Sequence, residues 1–111
     1  MSSTLEGMIE RLSEDNEGTR WNAAEALGRL GDPRAVEPLI DTLWDDDARV
    51  RLKAAWALGM VGDPRALGPL QKFYRIERDD ARDIIQEARE MIKQGWPKRW
   101  SKHKRAPAGP F

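Results

Sequence analysis

Residues 31–40 read GDPRAVEPLI, and the first five letters return 31 positions later as GDPRA at residues 62–66. The same offset lays residues 20–28, RWNAAEALG, over residues 51–59, RLKAAWALG. Many identities at one fixed offset indicate an internal repeat. The chain therefore divides into three units within residues 1–92 and a tail at 93–111. The units are residues 1–30, 31–61 and 62–92.

Each unit is predicted to form two helices. In the second unit, Asp32 suits a helix cap and Pro33 a first helical position. We expect the regular helix to begin near Ala35, because Pro38 is tolerated only in a first turn. Acid-rich breaks at residues 14–16, 45–47 and 79–80 are expected to cap the second helices, and Ser3 with Glu6 has capping-box spacing. Glycines stand where a left-handed residue closes a second helix, at Gly31 and Gly62.

The second helix of the central unit has an apolar stripe of helical spacing, made by Val50, Ala54, Ala57, Leu58 and Val61. Its alanines allow close approach of neighbouring helices. A unit of about 30 residues cannot bury its own apolar face, so about three must stack. The third unit is more polar, as a terminal repeat should be. The polar positions are Asp83, Gln86, Glu87 and Arg89.

The sequence resembles the HEAT-like repeats of phycocyanobilin-lyase (PBS lyase) type. The resemblance lies in GDPRAVEPLI, the Asp-rich loop and the pattern V-R-x-x-A-A-x-A-L-G at residues 50–59. It covers residues 1–92 and none of the tail. It implies an all-α, right-handed, armadillo-like α–α superhelix whose second helices line the concave side. The family includes bilin lyases, hydroxylases and scaffolds, so the fold does not choose a function.

Residues for catalysis and metal binding are scarce. The chain has no cysteine and one histidine, His103, which lies in the tail. A Ser–His–Asp site would need that histidine beside a serine and an acid. The acids at 45–47 lack the spacing of a calcium loop. HEAT-like hydroxylases bind iron through paired His-Glu motifs, which are absent from this sequence. We therefore predict no catalytic residues, no metal and no cofactor.

A second stripe on the central helix predicts a binding surface. Leu52, Trp56 and Met60 are four residues apart and share one face. Trp21 occupies the Leu52 position one unit earlier. We expect these four side chains to cluster, exposed, within a charged rim that includes Glu25, and to bind a protein partner. Packing between repeats and coverage by the tail are the alternatives. The remaining expected rim residues are Arg29, Asp83 and Glu87.

Arginines recur at one position of each unit, at Arg20, Arg51 and Arg82. We expect each to pair with an acid of an inter-helix loop, such as Asp15, Asp46 or Asp80. An anion site formed by the three arginines is the alternative.

The zero net charge of the chain, 19 basic against 19 acidic residues, has two unlike parts. Residues 1–92 have 13 basic residues and all 19 acids, and residues 93–111 have six basic residues and no acid. A basic tail with tryptophans suits RNA, whose phosphates meet cations and whose bases stack on indoles. It equally suits an acidic protein surface, including that of residues 1–92, or a solvated end. The candidate residues are Trp96, Lys98, Arg99, Trp100, Lys102, Lys104 and Arg105.

The sequence thus predicts a non-catalytic adaptor that binds a protein through its concave face, with electrostatic attachment by the tail. The alternatives are a ribonucleoprotein component anchored to RNA by the tail, and a bilin lyase or lyase subunit. No apolar run is long enough for a membrane span, and a chain without cysteine fits the cytoplasm. Self-association through the apolar concave face remains open.

Overall fold

The computed structural model describes residues 4–77 and 81–96, in which every regular element is helical. Short 3₁₀ turns, Pro33–Ala35 and Pro64–Ala66, lead into the third and fifth helices. No strand occurs in these described ranges. The chain is all-α, with two helices in each sequence unit. The helices are α1 (Thr4–Arg11), α2 (Glu17–Leu30), α3 (Val36–Thr42), α4 (Ala48–Val61), α5 (Leu67–Ile76) and α6 (Ala81–Lys93).

Polar residues of the inter-helix loops cap the helices, as the sequence predicts. The Asn16 side chain accepts a hydrogen bond from the backbone N–H of Thr19 at the start of α2. Asp47 accepts from the N–H of Arg49 at the start of α4. These bonds satisfy donors that have no partner within the helix. The expected caps at Ser3, Asp79 and Asp80 lie outside the described residues.

The Gly-Asp-Pro-Arg-Ala segment ends one helix and starts the next. Gly31 and Gly62 have φ of 72° and 80°, the left-handed conformation that glycine adopts without strain. Asp32 accepts from the N–H of Arg34 within the 3₁₀ turn. Pro38 is the third residue of α3, so its missing N–H falls in the first turn, as predicted.

The second helices of the three units pack side by side, with α4 between α2 and α6. Glycine permits both close crossings. A Cβ added at Gly28 would lie 2.9 Å from Ala57 Cα, and one at Gly59 would lie 2.8 Å from Ala88 Cα. The predicted stripe of α4 is buried, no member being more than 5% exposed. The repeats therefore stack into an α–α superhelix, and the recurring Ala-Leu-Gly segment forms its contacts.

The recurring arginines connect consecutive repeats. The Arg20 guanidinium donates to both oxygens of Asp45, at 2.8 and 3.0 Å, and to Asp46 at 3.0 Å. Arg51 donates to Glu77 at 2.9 Å, in the next unit. Each of these arginines thus bonds to a carboxylate of the repeat that follows. We call this series of bonds between repeats the arginine ladder.

The expected partners of these arginines differ in part from those found. Asp15 offers Arg20 its backbone carbonyl at 2.8 Å and not its carboxylate. Arg51 donates to the Asp45 carbonyl at 2.8 Å, and Arg82 to the Glu77 carbonyl at 3.0 Å. The nearest loop therefore supplies carbonyls and the next repeat supplies the acid. Asp80 lies outside the described residues.

Replacing Arg20 with methionine is expected to lower the free energy of unfolding by about 1.5–3 kcal/mol, because the largely buried Asp45 loses its charged partner. The matched control is Arg34→Met. That arginine pairs with Asp32 but its side chain is 76% exposed, so solvent screens the pair and its loss should change stability much less. Urea unfolding of both variants measures the difference. Equal losses in the free energy of unfolding would contradict a stabilising role for the arginine ladder.

The Arg20 effect should also depend on pH. Burial alone would raise the pKa of Asp45, but hydrogen bonds from Arg20 and from the Asp47 N–H lower it below its usual value. A carboxyl with a lowered folded pKa stabilises the fold above its unfolded pKa of about 3.9, and that stabilisation disappears as pH falls through the folded pKa. The gap between wild type and Arg20→Met should therefore shrink below about pH 4.

Candidate protein-binding surface on the second helices

The predicted protein-binding residues lie on two adjacent helices, and we call them the second-helix surface: Trp21 and Glu25 of α2 with Leu52, Trp56 and Met60 of α4. The expectation that Trp56 faces solvent is corrected by the structure, in which it is only 5% exposed. A Cβ at Gly28 would lie 2.9 Å from the Trp56 ring, so the indole covers α2 at that glycine. Trp21, Leu52 and Met60 are half-buried.

A lysine that the sequence prediction missed lies at the centre of this surface. The Lys53 ammonium nitrogen is 4.4 Å from the ring centroids of both Trp21 and Trp56, and the residue is 0% exposed. A desolvated cation on an indole face is attracted by the negative face of the ring. Lys53 thus joins the tryptophans of two repeats.

Charged neighbours surround this buried cation. Burial lowers the pKa of Lys53, Glu25 opposes that shift, and Arg29 adds to it. Glu25 and Arg29 form an ion pair at 3.0 Å, and Arg29 lies 5.7 Å from the centroid of Trp56. The predicted rim is therefore present on the α2 side. On α6, its other expected members Asp83 and Glu87 are exposed.

Trp21 is the aromatic residue of this surface that a partner can reach. Its ring lines an open cavity of about 210 Å³ between the first turns of α2 and α4. Glu17, Asp47 and Arg49 also line the cavity, so an apolar wall stands among charges of both signs. Such an arrangement suits an apolar anchor with polar neighbours.

The first tryptophan of the tail docks on the folded body. Gly95, with φ of 87°, ends the last helical turn, and Trp96 is 8% exposed. The Trp96 Nε1–H donates to the carbonyl of Met60 at the end of α4. The tail therefore begins against the second-helix surface. The other candidate tail residues lie outside the described residues: Lys98, Arg99, Trp100, Lys102, Lys104 and Arg105.

Neither a metal centre nor a membrane span is found in the part of the chain that the structure describes. In residues 4–77 and 81–96, no three His, Cys, Asp or Glu side chains group so that they could hold a metal ion. The helices of the same ranges are too short or too polar to cross a bilayer.

Stacked helical hairpins joined by side-chain bonds between repeats define an α-solenoid repeat protein. A family model of HEAT repeats matches residues 5–93, and the chain belongs to that family. A search of curated proteins found no match. Human deoxyhypusine hydroxylase, solved in complex with glycerol, is similar in structure, with a TM-score of 0.74 and 26% identity. The similarity covers 96% of this chain and 36% of the hydroxylase chain, so this protein spans about a third of that enzyme.

Proposed function

We propose that this protein is a non-catalytic adaptor that binds another protein through the second-helix surface, with Trp21 as the central anchor and the basic tail as an electrostatic attachment. HEAT repeats suggest a scaffold or protein-interaction role, which supports the general class. A cytoplasmic location is part of the proposal, because a chain without cysteine suits a reducing compartment.

The observation that carries the proposal is the position of Trp21. Its ring lies over the buried ammonium of Lys53 and lines the cavity beside Asp47 and Arg49. An aromatic ring that is already held in place loses little conformational freedom when a partner binds. Tryptophan is also enriched among the residues that dominate interface energies.

A hydroxylase function is the competing proposal, since deoxyhypusine hydroxylase shares the fold. The paired His-Glu motifs of HEAT-like hydroxylases require several histidines, and this chain has only His103. The residues present therefore do not fit an iron site of that kind. Bilin attachment and RNA binding stay predictions from the sequence, because the described residues add no observation in favour of either.

Replacing Trp21 with alanine should strongly weaken partner capture without unfolding the chain. Truncating a central interface tryptophan costs about 2 kcal/mol or more, which is about 30-fold in Kd. The measurement is quantitative affinity capture with the full chain as bait, followed by titration of each recovered partner. Because the anchor is apolar, binding should persist in high salt, where attachment by the tail alone would fail.

Trp44→Ala is the matched control. Trp44 is 44% exposed, lies outside the second-helix surface, and meets Phe73 edge-on with 5.9 Å between centroids. Its removal should leave the captured proteins unchanged. Capture that survives Trp21→Ala, or that is lost equally with both variants, would rule out the proposed surface.

A further inference from the structure

The outer face of the first repeat has an open groove between α1 and α2. Its volume is about 370 Å³. The groove and the cavity beside Trp21 share one lining residue, Asn22, and otherwise have different linings. The groove is lined by Met8, Arg11, Thr19, Asn22, Ala23 and Ala26.

The repeat itself shows what covers such a face. Adding 31 to the six groove positions gives the matching face of the second repeat, and every residue there is buried. That face is covered where α2 crosses α4 with Gly28 against Ala57. Ala26 is the counterpart of Ala57, so it marks the crossing point for a further helix. The buried counterparts are Leu39, Thr42, Val50, Lys53, Ala54 and Ala57.

The second helices differ at the position where each one crosses the next, which we call the crossing position. α2 and α4 have glycine there, at Gly28 and Gly59, whereas α6 has Glu90. Each glycine brings a neighbouring alanine Cα within 3 Å of where a Cβ would lie. A glutamate at this position prevents that approach. A second copy of the chain therefore cannot seat its last helix on Ala26 as one repeat seats on the next.

The arginine ladder lacks its next arginine at the first repeat, the end of the stack where the groove lies. Asp46 and Glu77, which are 31 residues apart, each accept from the ladder arginine of the preceding repeat. Asp15 holds the corresponding position in the first repeat. It is exposed, and within the described residues no ion pair reaches its carboxylate. A docking helix that carries an arginine would complete this step.

We propose that the groove of the first repeat binds a helical hairpin of a partner protein, which extends the stack by one repeat. The partner's docking helix has a glycine or another small residue at the crossing with Ala26. It also has an arginine eight residues earlier that reaches Asp15, the spacing that Arg20 and Gly28 have in α2 and that Arg51 and Gly59 have in α4.

The test uses the full chain and a stapled, fluorescent peptide with the sequence of α2, residues 17–30, which contains this arginine–glycine pair. Fluorescence anisotropy should show saturable binding. A peptide with Gly28→Leu, or a chain with Ala26→Glu, should bind about tenfold more weakly or worse, because both fill the crossing point. The Arg75→Ala variant, at an exposed position of α5 in the third repeat, should bind like wild type.

A charge exchange provides the second arm. The peptide with Arg20→Glu should bind wild type weakly and regain affinity for the chain with Asp15→Arg. Circular dichroism confirms that each chain variant is folded. Absence of peptide binding, or binding unchanged by Ala26→Glu in a folded chain, overturns the proposal. So does sedimentation that shows a dimer dissociated by Ala26→Glu, since a second copy would then occupy the groove.

Discussion

Replacing Gly59 with alanine is expected to lower the free energy of unfolding by about 1–3 kcal/mol, although alanine is the better helix former. The added Cβ would lie 2.8 Å from Ala88 Cα and 2.9 Å from Ala88 Cβ. These atoms belong to or adjoin the backbone of α6, so a side-chain rotation cannot relieve the clash. The two helices must separate along their contact, which loosens the third repeat from the second.

Gly7→Ala is the matched control for this prediction. Gly7 also lies within a helix, α1, and nothing stands within 4 Å of its added Cβ. Its replacement should stabilise the chain by about 0.4–1 kcal/mol, because alanine reduces the freedom of the unfolded chain. Thermal unfolding should thus give shifts of opposite sign, with about 4–8 °C for each kcal/mol. A stabilising shift for Gly59→Ala would show that the α4–α6 crossing tolerates a methyl group.

The fold was predictable from the sequence because the same local signals for helix starts and ends recur in consecutive repeats. The offset of 31 residues located the helix pairs, and Gly31 and Gly62 marked their ends by a conformation that disfavours side chains. Pro38 fixed the start of α3 within one residue of Ala35. These signals are local, so they do not depend on how the repeats are arranged in space.

The surface was harder to predict, since its burial depends on neighbours. The stripe of Leu52, Trp56 and Met60 lies opposite the apolar stripe of α4. On a single amphipathic helix, the side opposite the apolar stripe would be exposed. In the stack, α4 has a helix on each side, so Trp56 is covered as well. The residue that the prediction missed, Lys53, stands three residues after Val50 and four before Ala57. The helical period therefore placed it in the buried stripe, but its charge is typical of a surface residue.

Replacing Lys53 with alanine is expected to cost about 3 kcal/mol or more, whereas methionine should cost about 1 kcal/mol or less. Alanine removes a fully buried chain of methylenes and leaves a void between Trp21 and Trp56. Methionine keeps most of the volume and packs well against aromatic rings. It also removes the cost of burying a charge, which offsets the lost attraction between the ammonium and the indoles. A methionine variant as unstable as the alanine variant would mean that the charge itself holds the repeats together.

The pH dependence of the same pair separates charge from packing. Burial lowers the pKa of Lys53 in the folded chain, so at alkaline pH the unfolded chain binds more protons than the folded one. The free energy of unfolding of wild type should therefore rise from the lowered folded pKa up to the ordinary value of about 10.4, and the Lys53→Met variant should lack this rise. Urea unfolding of both proteins at intervals between about pH 7 and 10 measures it. Parallel profiles would show that Lys53 titrates normally, in which case the lysine between the two indoles is not desolvated as the structure requires.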